Sequence, residues 1–142
     1  SPFAFMSECN SIIEEDDTVL QQETTMRDHR KLKAFQLADA LALKIYKATA
    51  NFPKEEQYGL KAQLRKSAVS TPSNIVEGCA RNTEADYLRF LDIAFGSSRE
   101  LEYQLSLAFR LEYLEQKVYR MLEGNSVETS KVIGGLIRSL RP

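Results

Sequence analysis

The side chains whose types and spacing could do chemistry sit in the middle of the chain. Asn74 and Glu77 are three residues apart, a spacing that puts both on one face wherever the backbone is helical, and Gln63, Ser67 and Ser70 lie on the stretch before them. A carboxylate beside an amide could hold or move a proton. No His, Lys or Cys nucleophile joins the group in a defined motif, and buried polar groups of these types must find partners in any case. The favoured reading is a structural polar network between helices or subunits, made by Gln63, Ser70, Asn74, Glu77 and Glu100, with no catalytic residue. An enzyme using Glu77 with Asn74 is the minor alternative. Asp92 and Glu100 are eight apart and project about 80° from each other on a helix of 3.6 residues per turn, so they do not converge as paired carboxylates.

Metal chemistry is excluded by counting. The chain has one histidine, His29, whereas a di-iron carboxylate bundle takes a Glu-x-x-His motif from each of two helices. Its two cysteines, Cys9 and Cys79, lie 70 residues apart without a CxxC spacing. These features imply no metal, no cofactor and a reducing cytoplasmic setting.

Phosphate contact is the other chemistry on offer. Lys61, Arg65 and Lys66, followed by Arg81 and Arg89, form the densest basic set and are the expected nucleic-acid-binding residues, for RNA or DNA. A solvated face laced with Glu55, Glu56 and Glu84 is the competing reading. Arg99, beside Glu100 and Glu102, is expected to pair with acids. Tyr87, Tyr103, Tyr113 and Tyr119 could stack on bases, but helical spacing favours packing with the hydroxyl at the rim.

The net charge of -1 hides a division. Residues 1–26 carry six acids and no base, so the other 116 residues hold all 19 Lys and Arg against 14 Asp and Glu, a balance of +5. The segment 1–30 is polar and lacks helical periodicity, as expected of a disordered or loosely docked arm. Its first residue is not Met, which fits an added segment or an upstream start. A six-acid arm tethered to a +5 body makes self-inhibition a testable idea, under which removing residues 1–26 raises nucleic-acid affinity. It has neither the basic start nor the apolar run of a secretory signal, and the longest apolar stretch, Val132 to Ile137, is far too short to span a bilayer.

Residues 31–142 read as one helical domain. Phe35, Ala38, Leu41, Ala42, Ile45, Thr49 and Phe52 recur at helical spacing and predict a first helix that ends before Pro53. A second helix is expected from about Lys54 to Cys79, kinked or broken at Pro72. Thr83 to Asp86 resembles a capping box, and a third helix follows through Tyr87, Phe90, Leu91, Ala94, Ser98, Leu101, Leu105 and Phe109. After a tight connection at Glu112 to Leu114, a fourth helix carries Val118, Met121, Leu122, Ile133 and Ile137, weakened at Gly124 and Gly134-Gly135. Gly96-Ser97-Ser98 removes bulk from the third helix, as close approach of another helix or subunit requires. Leucine outnumbers valine plus isoleucine 17 to 13 and no alternation lasts, which leaves strands little support. The expected fold is all-α, an antiparallel up-down-up-down four-helix bundle.

The blocks Phe52-Pro53, Gly59-Leu60, Gln63-Leu64-Arg65-Lys66-Ser67-Ala68-Val69-Ser70, Asn74-Ile75-x-Glu77-Gly78, Phe90-Leu91-x-Ile93-Ala94-x-Gly96-Ser97-x-x-Glu100-Leu101 and Tyr113-Leu114 closely resemble the bacterial four-helix bundle family found in 23S rRNA intervening sequences. That family also includes the accessory variability determinant of diversity-generating retroelements. The resemblance spans about Lys31 to Leu140. It implies an antiparallel bundle forming a homopentamer without catalytic activity. For the retroelement branch it further implies a basic surface contacting nucleic acid and a reverse transcriptase partner. The chain departs in carrying Thr71 where a large aliphatic residue is usual, Ala80 where glycine is frequent, and Glu112 where glycine commonly makes the turn.

Overall fold

A computed structural model describes residues 27–142. The acidic residues 1–26, with Cys9 and the arm expected there, lie outside the described residues. Four long helices form: α1 (Lys33–Thr49), α2 (Leu60–Cys79), α3 (Glu84–Arg110) and α4 (Gln116–Leu140). Each packs against its neighbour in the chain, and α1 packs against α4 to close the bundle. Short connections between consecutive helices make the neighbours antiparallel. None of the described helices is long and apolar enough to cross a membrane.

The local chemistry accounts for most of the boundaries. Asp28 caps a short 3-10 turn, His29–Lys31, by accepting from the Arg30 backbone N–H at 3.1 Å and from its guanidinium at 2.9 and 3.0 Å. The Gln36 side chain donates to the Arg30 carbonyl at 2.9 Å, and His29 meets the edge of Phe35 at 4.7 Å. Residues 27–30, placed by sequence in the arm, are thereby fastened to the bundle. Thr83 caps α3 by accepting from Asp86 N–H at 3.1 Å, and Glu84 and Asp86 put negative charge on the positive end of the helix dipole.

Three expectations need correction. The second helix does not start at Lys54. Lys54–Glu56 is a separate 3-10 turn, and the helix begins after Gly59, whose φ of -104° and ψ of -119° leave the helical region. Glu56 Oε1 accepts from Leu60 N–H at 3.2 Å and so serves the new helix end. Nor does α2 break at Pro72. It runs through, with the Thr71 hydroxyl donating to the Ser67 carbonyl at 3.0 Å and the Asn74 amide to the Ser70 carbonyl at 2.8 Å. These bonds and the packing of α2 between α1 and α3 hold the turn that the proline weakens. Finally, Met121 is exposed, because its neighbour Leu122 takes the inward position on α4 and lies fully buried.

The core falls into two apolar clusters with a layer of hydroxyl groups between them. One end is built of large aliphatics, including Leu41, Ile45, Leu64, Leu101, Leu105 and Leu122. The other is built largely of small or aromatic residues, among them Ala34, Ala38, Cys79, Tyr87, Leu91 and Ala94. Thr71, Ser98, Ser126, Thr129 and Ser130, all buried, occupy the register positions between.

Candidate nucleic-acid interface

The five basic residues singled out by sequence divide between the two ends of the bundle. Lys61, Arg65 and Lys66 stand on the first turns of α2, beside the leucine-rich cluster. Arg81 and Arg89 flank the start of α3, beside the small-residue cluster. Lys61 and Arg81 are separated by most of α2, about 27 Å at 1.5 Å per residue. They do not form one patch.

Their surroundings differ as much as their positions. Arg65 Nε donates to Thr49 Oγ1 at 2.9 Å and its Nη2 donates to the Tyr46 carbonyl at 3.1 Å, with the guanidinium 4.4 Å from the Tyr46 ring centre. It therefore closes the C-terminal end of α1, where carbonyls lack helical partners and a cation suits the dipole. Lys61 Nζ reaches Gln57 Oε1 at 3.4 Å, and Lys66 is exposed. At the other end, the guanidiniums of Arg81 and Arg89 each lie 4.5 Å from the centre of the same ring, that of Phe90. Both arginines are exposed while Phe90 is buried, so the ring orients two charges that still face solvent. Asp86 approaches Arg89 at 3.8 Å on the exposed surface, an ion pair of little strength. Arg27, which sequence reading left in the arm, places its guanidinium 4.0 Å from the centre of the Tyr87 ring. A guanidinium beside an aromatic ring is a tertiary feature, and no sequence spacing announces it.

The polar residues expected to form a network are only partly brought together. Asn74 Nδ2 donates to Ser70 Oγ at 3.0 Å, and Ser70 Oγ lies 2.8 Å from Ser97 Oγ across to α3. Glu100 accepts from Gln104 Nε2 at 3.0 Å along α3. Gln63 and Glu77 stand exposed on α2, and their side chains make no hydrogen bond among the described residues. Gly96 faces open space, so among the described residues no helix uses the gap it leaves. Arg99 reaches Glu102 at 3.5 Å and Arg141 pairs with Asp92, which accounts for the remaining acids of interest.

A second polar array lies in the hydroxyl layer. Ser130 Oγ donates to Glu102 Oε2 at 2.6 Å, and Ser98 Oγ stands 2.7 Å from Ser130 Oγ. Because a carboxylate accepts only, Ser130 commits its one proton to Glu102, and Ser98 must donate to Ser130. Ser98 is fully buried, which leaves this relay no substrate access and a role in fixing α3 against α4. Burial pushes Tyr87 up to about 12 and the Cys79 thiol above its usual range, and it holds His29 below its own. No group of three or more His, Cys, Asp or Glu among the described residues could hold a metal ion.

The sequence profile of the 23S rRNA-intervening sequence protein matches residues 30–135. The chain belongs to that family. A crystal structure of a protein of unknown function from the S23 ribosomal protein family of Bacteroides thetaiotaomicron is similar, at 27% identity and a TM-score of 0.66, over 73% of this chain and 97% of that one. No curated protein matches.

The three departures from the family pattern have local explanations. Thr71 is buried and turns its hydroxyl onto the Ser67 carbonyl, a bond that an aliphatic residue lacks. Ala80 ends α2 at φ -85°, ψ -4°, which any residue adopts, so glycine is not required. Glu112 is the exception, with φ of 65°. Glu112 N–H donates to the Phe109 carbonyl and Tyr113 N–H to the Ala108 carbonyl, both at 2.9 Å, which is the Schellman ending that glycine normally completes.

Proposed function

We propose that the chain is a non-enzymatic, homo-oligomeric bundle, pentameric in its assembled form, that associates with nucleic acid in the cytoplasm through a basic surface. The observation that carries this reading is the pair of exposed guanidiniums, Arg81 and Arg89, held on one buried ring. Preorganised arginines lose less freedom on meeting a phosphate than free side chains do. Lys66 and Lys61 add charge from the opposite end of each subunit, whereas Arg65, also on α2, is engaged by the end of α1 and adds no phosphate contact. Repetition in an oligomer multiplies weak contacts into a stable one. An outward strip on α2 and α3, with Val69, Ile93 and Tyr103 exposed beside Gly96, suits packing between copies.

That same strip favours a second reading, in which the bundle is a scaffold for a protein partner such as a reverse transcriptase and touches no nucleic acid itself. Binding of mixed-sequence RNA and DNA across a salt series, with mass measured by light scattering in the same buffers, separates the two. The first reading expects a pentamer whose affinity falls linearly in log salt. A pentamer that binds neither polymer at low salt supports the scaffold.

A further inference from the structure

We infer that the surface formed by Arg81, Phe90 and Arg89 is the docking site of the chain's own acidic segment, residues 1–26. Three observations converge on it. The described chain begins at Arg27, and this residue is already folded onto Tyr87, its guanidinium 4.0 Å from the ring centre. Phe90 follows three residues later on α3, about 4.5 Å along the axis, so the tether emerges within one helical turn of the paired arginines. The segment beyond Arg27 carries six acids and no base.

Proximity decides between the two basic ends of the bundle. The acids run from Glu23, four residues before Arg27, back through Asp17, Asp16, Glu15 and Glu14 to Glu8. Even fully extended, the four residues from Glu23 to Arg27 reach at most about 14 Å and the ten from Asp17 about 36 Å. The opposite end of α3 lies about 36 Å away along the axis, out of reach of Glu23 and at the limit of reach for Asp17. The tether therefore concentrates carboxylates around Arg81 and Arg89, where effective concentrations for short tethers reach the millimolar range. Glu84 and Asp86 stand nearby and offset part of the charge, with Asp86 3.8 Å from Arg89, but neither is paired with Arg81. Docking requires only this intramolecular complementarity. Its consequence, competition with phosphates for the same guanidiniums, rests on the nucleic-acid reading.

The full chain supplies its own probe, since Cys9 lies within the segment and Cys79 is buried. A nitroxide on Cys9, in a Cys79→Ala background, is expected to broaden the amide resonances of Arg81 to Phe90 more than those of Leu111 to Gln116. Arg81→Gln with Arg89→Gln should abolish that difference. Equal broadening at the two ends, or a difference that survives the double substitution, overturns the proposal. A parallel RNA titration of the full chain with Glu14, Glu15, Asp16 and Asp17 replaced by their amides reads the consequence. If the arginines are free in one molecule in ten, neutralisation raises affinity about tenfold. Localised broadening without any RNA binding would uphold docking and defeat the nucleic-acid reading, whereas RNA binding with even broadening would do the reverse.

Discussion

The two ends of the bundle use the same residue types for different purposes. At the leucine-rich end, large side chains fill the space between helices, and Arg65 is drawn inward to close α1 through Tyr46 and Thr49. At the other end, alanines, Gly78 and Cys79 let the helices approach, the aromatic rings of Tyr87 and Phe90 cover the gap, and Arg81 and Arg89 lie over Phe90 with their charges in solvent. One end uses cationic charge to finish the fold. The other presents it.

Substitutions can sharpen or break this contrast. The largest effect is expected for Leu64→Ala, which empties a fully buried position in the leucine cluster and should destabilise by about 2–5 kcal/mol in denaturant titration. Gly78→Ala tests the small-residue end from the opposite direction. A Cβ there would stand 3.0 Å from Phe90 Cβ and 3.3 Å from the Tyr87 carbonyl oxygen, neither of which can swing away. Overpacking of about 1–3 kcal/mol is expected, and a neutral result would mean that the close approach is not needed. Arg65→Ala should lower stability by about 1.5 kcal/mol through loss of charged hydrogen bonds, while Arg81→Ala leaves the melting temperature near that of the unsubstituted chain. Equal losses for the two would erase the distinction drawn between them. Glu112→Gly should raise stability by about 1 kcal/mol, because it relieves a left-handed backbone position that costs a side-chain-bearing residue about 1–2 kcal/mol.

The smallest effect near neutral pH concerns Tyr87. Its phenol titrates near 10 when unfolded and at about 12 in the fold, so the folded state holds the proton more tightly. The resulting stability is complete below pH 10 and is lost as pH rises through 12. Tyr87→Phe should flatten that part of the alkaline decline, measured by unfolding at a series of pH values.

Much of this fold is legible in the order of residues, and the illegible parts share a cause. Apolar residues at helical spacing disclose which faces of α1 and α3 are buried, and Thr83 with Asp86 discloses the start of α3, because each signal acts within a few residues. Pro72 misleads for the complementary reason. Its local penalty is real, but Thr71, Asn74 and the neighbouring helices outweigh it. The relay from Ser98 through Ser130 to Glu102 joins hydroxyls 32 residues apart, and no pattern in either helix foretells their meeting. The basic set shows both sides. Its charges are countable in the sequence, yet only the packing reveals that Arg65 is engaged and that Arg81 and Arg89 share a ring.

The decisive measurement is the salt dependence of RNA binding by three proteins compared in one buffer series: the unsubstituted chain, Arg65→Gln, and Arg81→Gln with Arg89→Gln. Loss of two phosphate contacts should flatten the slope of log affinity against log salt by about 1.4 for single-stranded RNA in the double variant, with the slope of Arg65→Gln unchanged. An unchanged slope in the double variant, or an equal flattening in Arg65→Gln, would contradict the division of labour between the two ends.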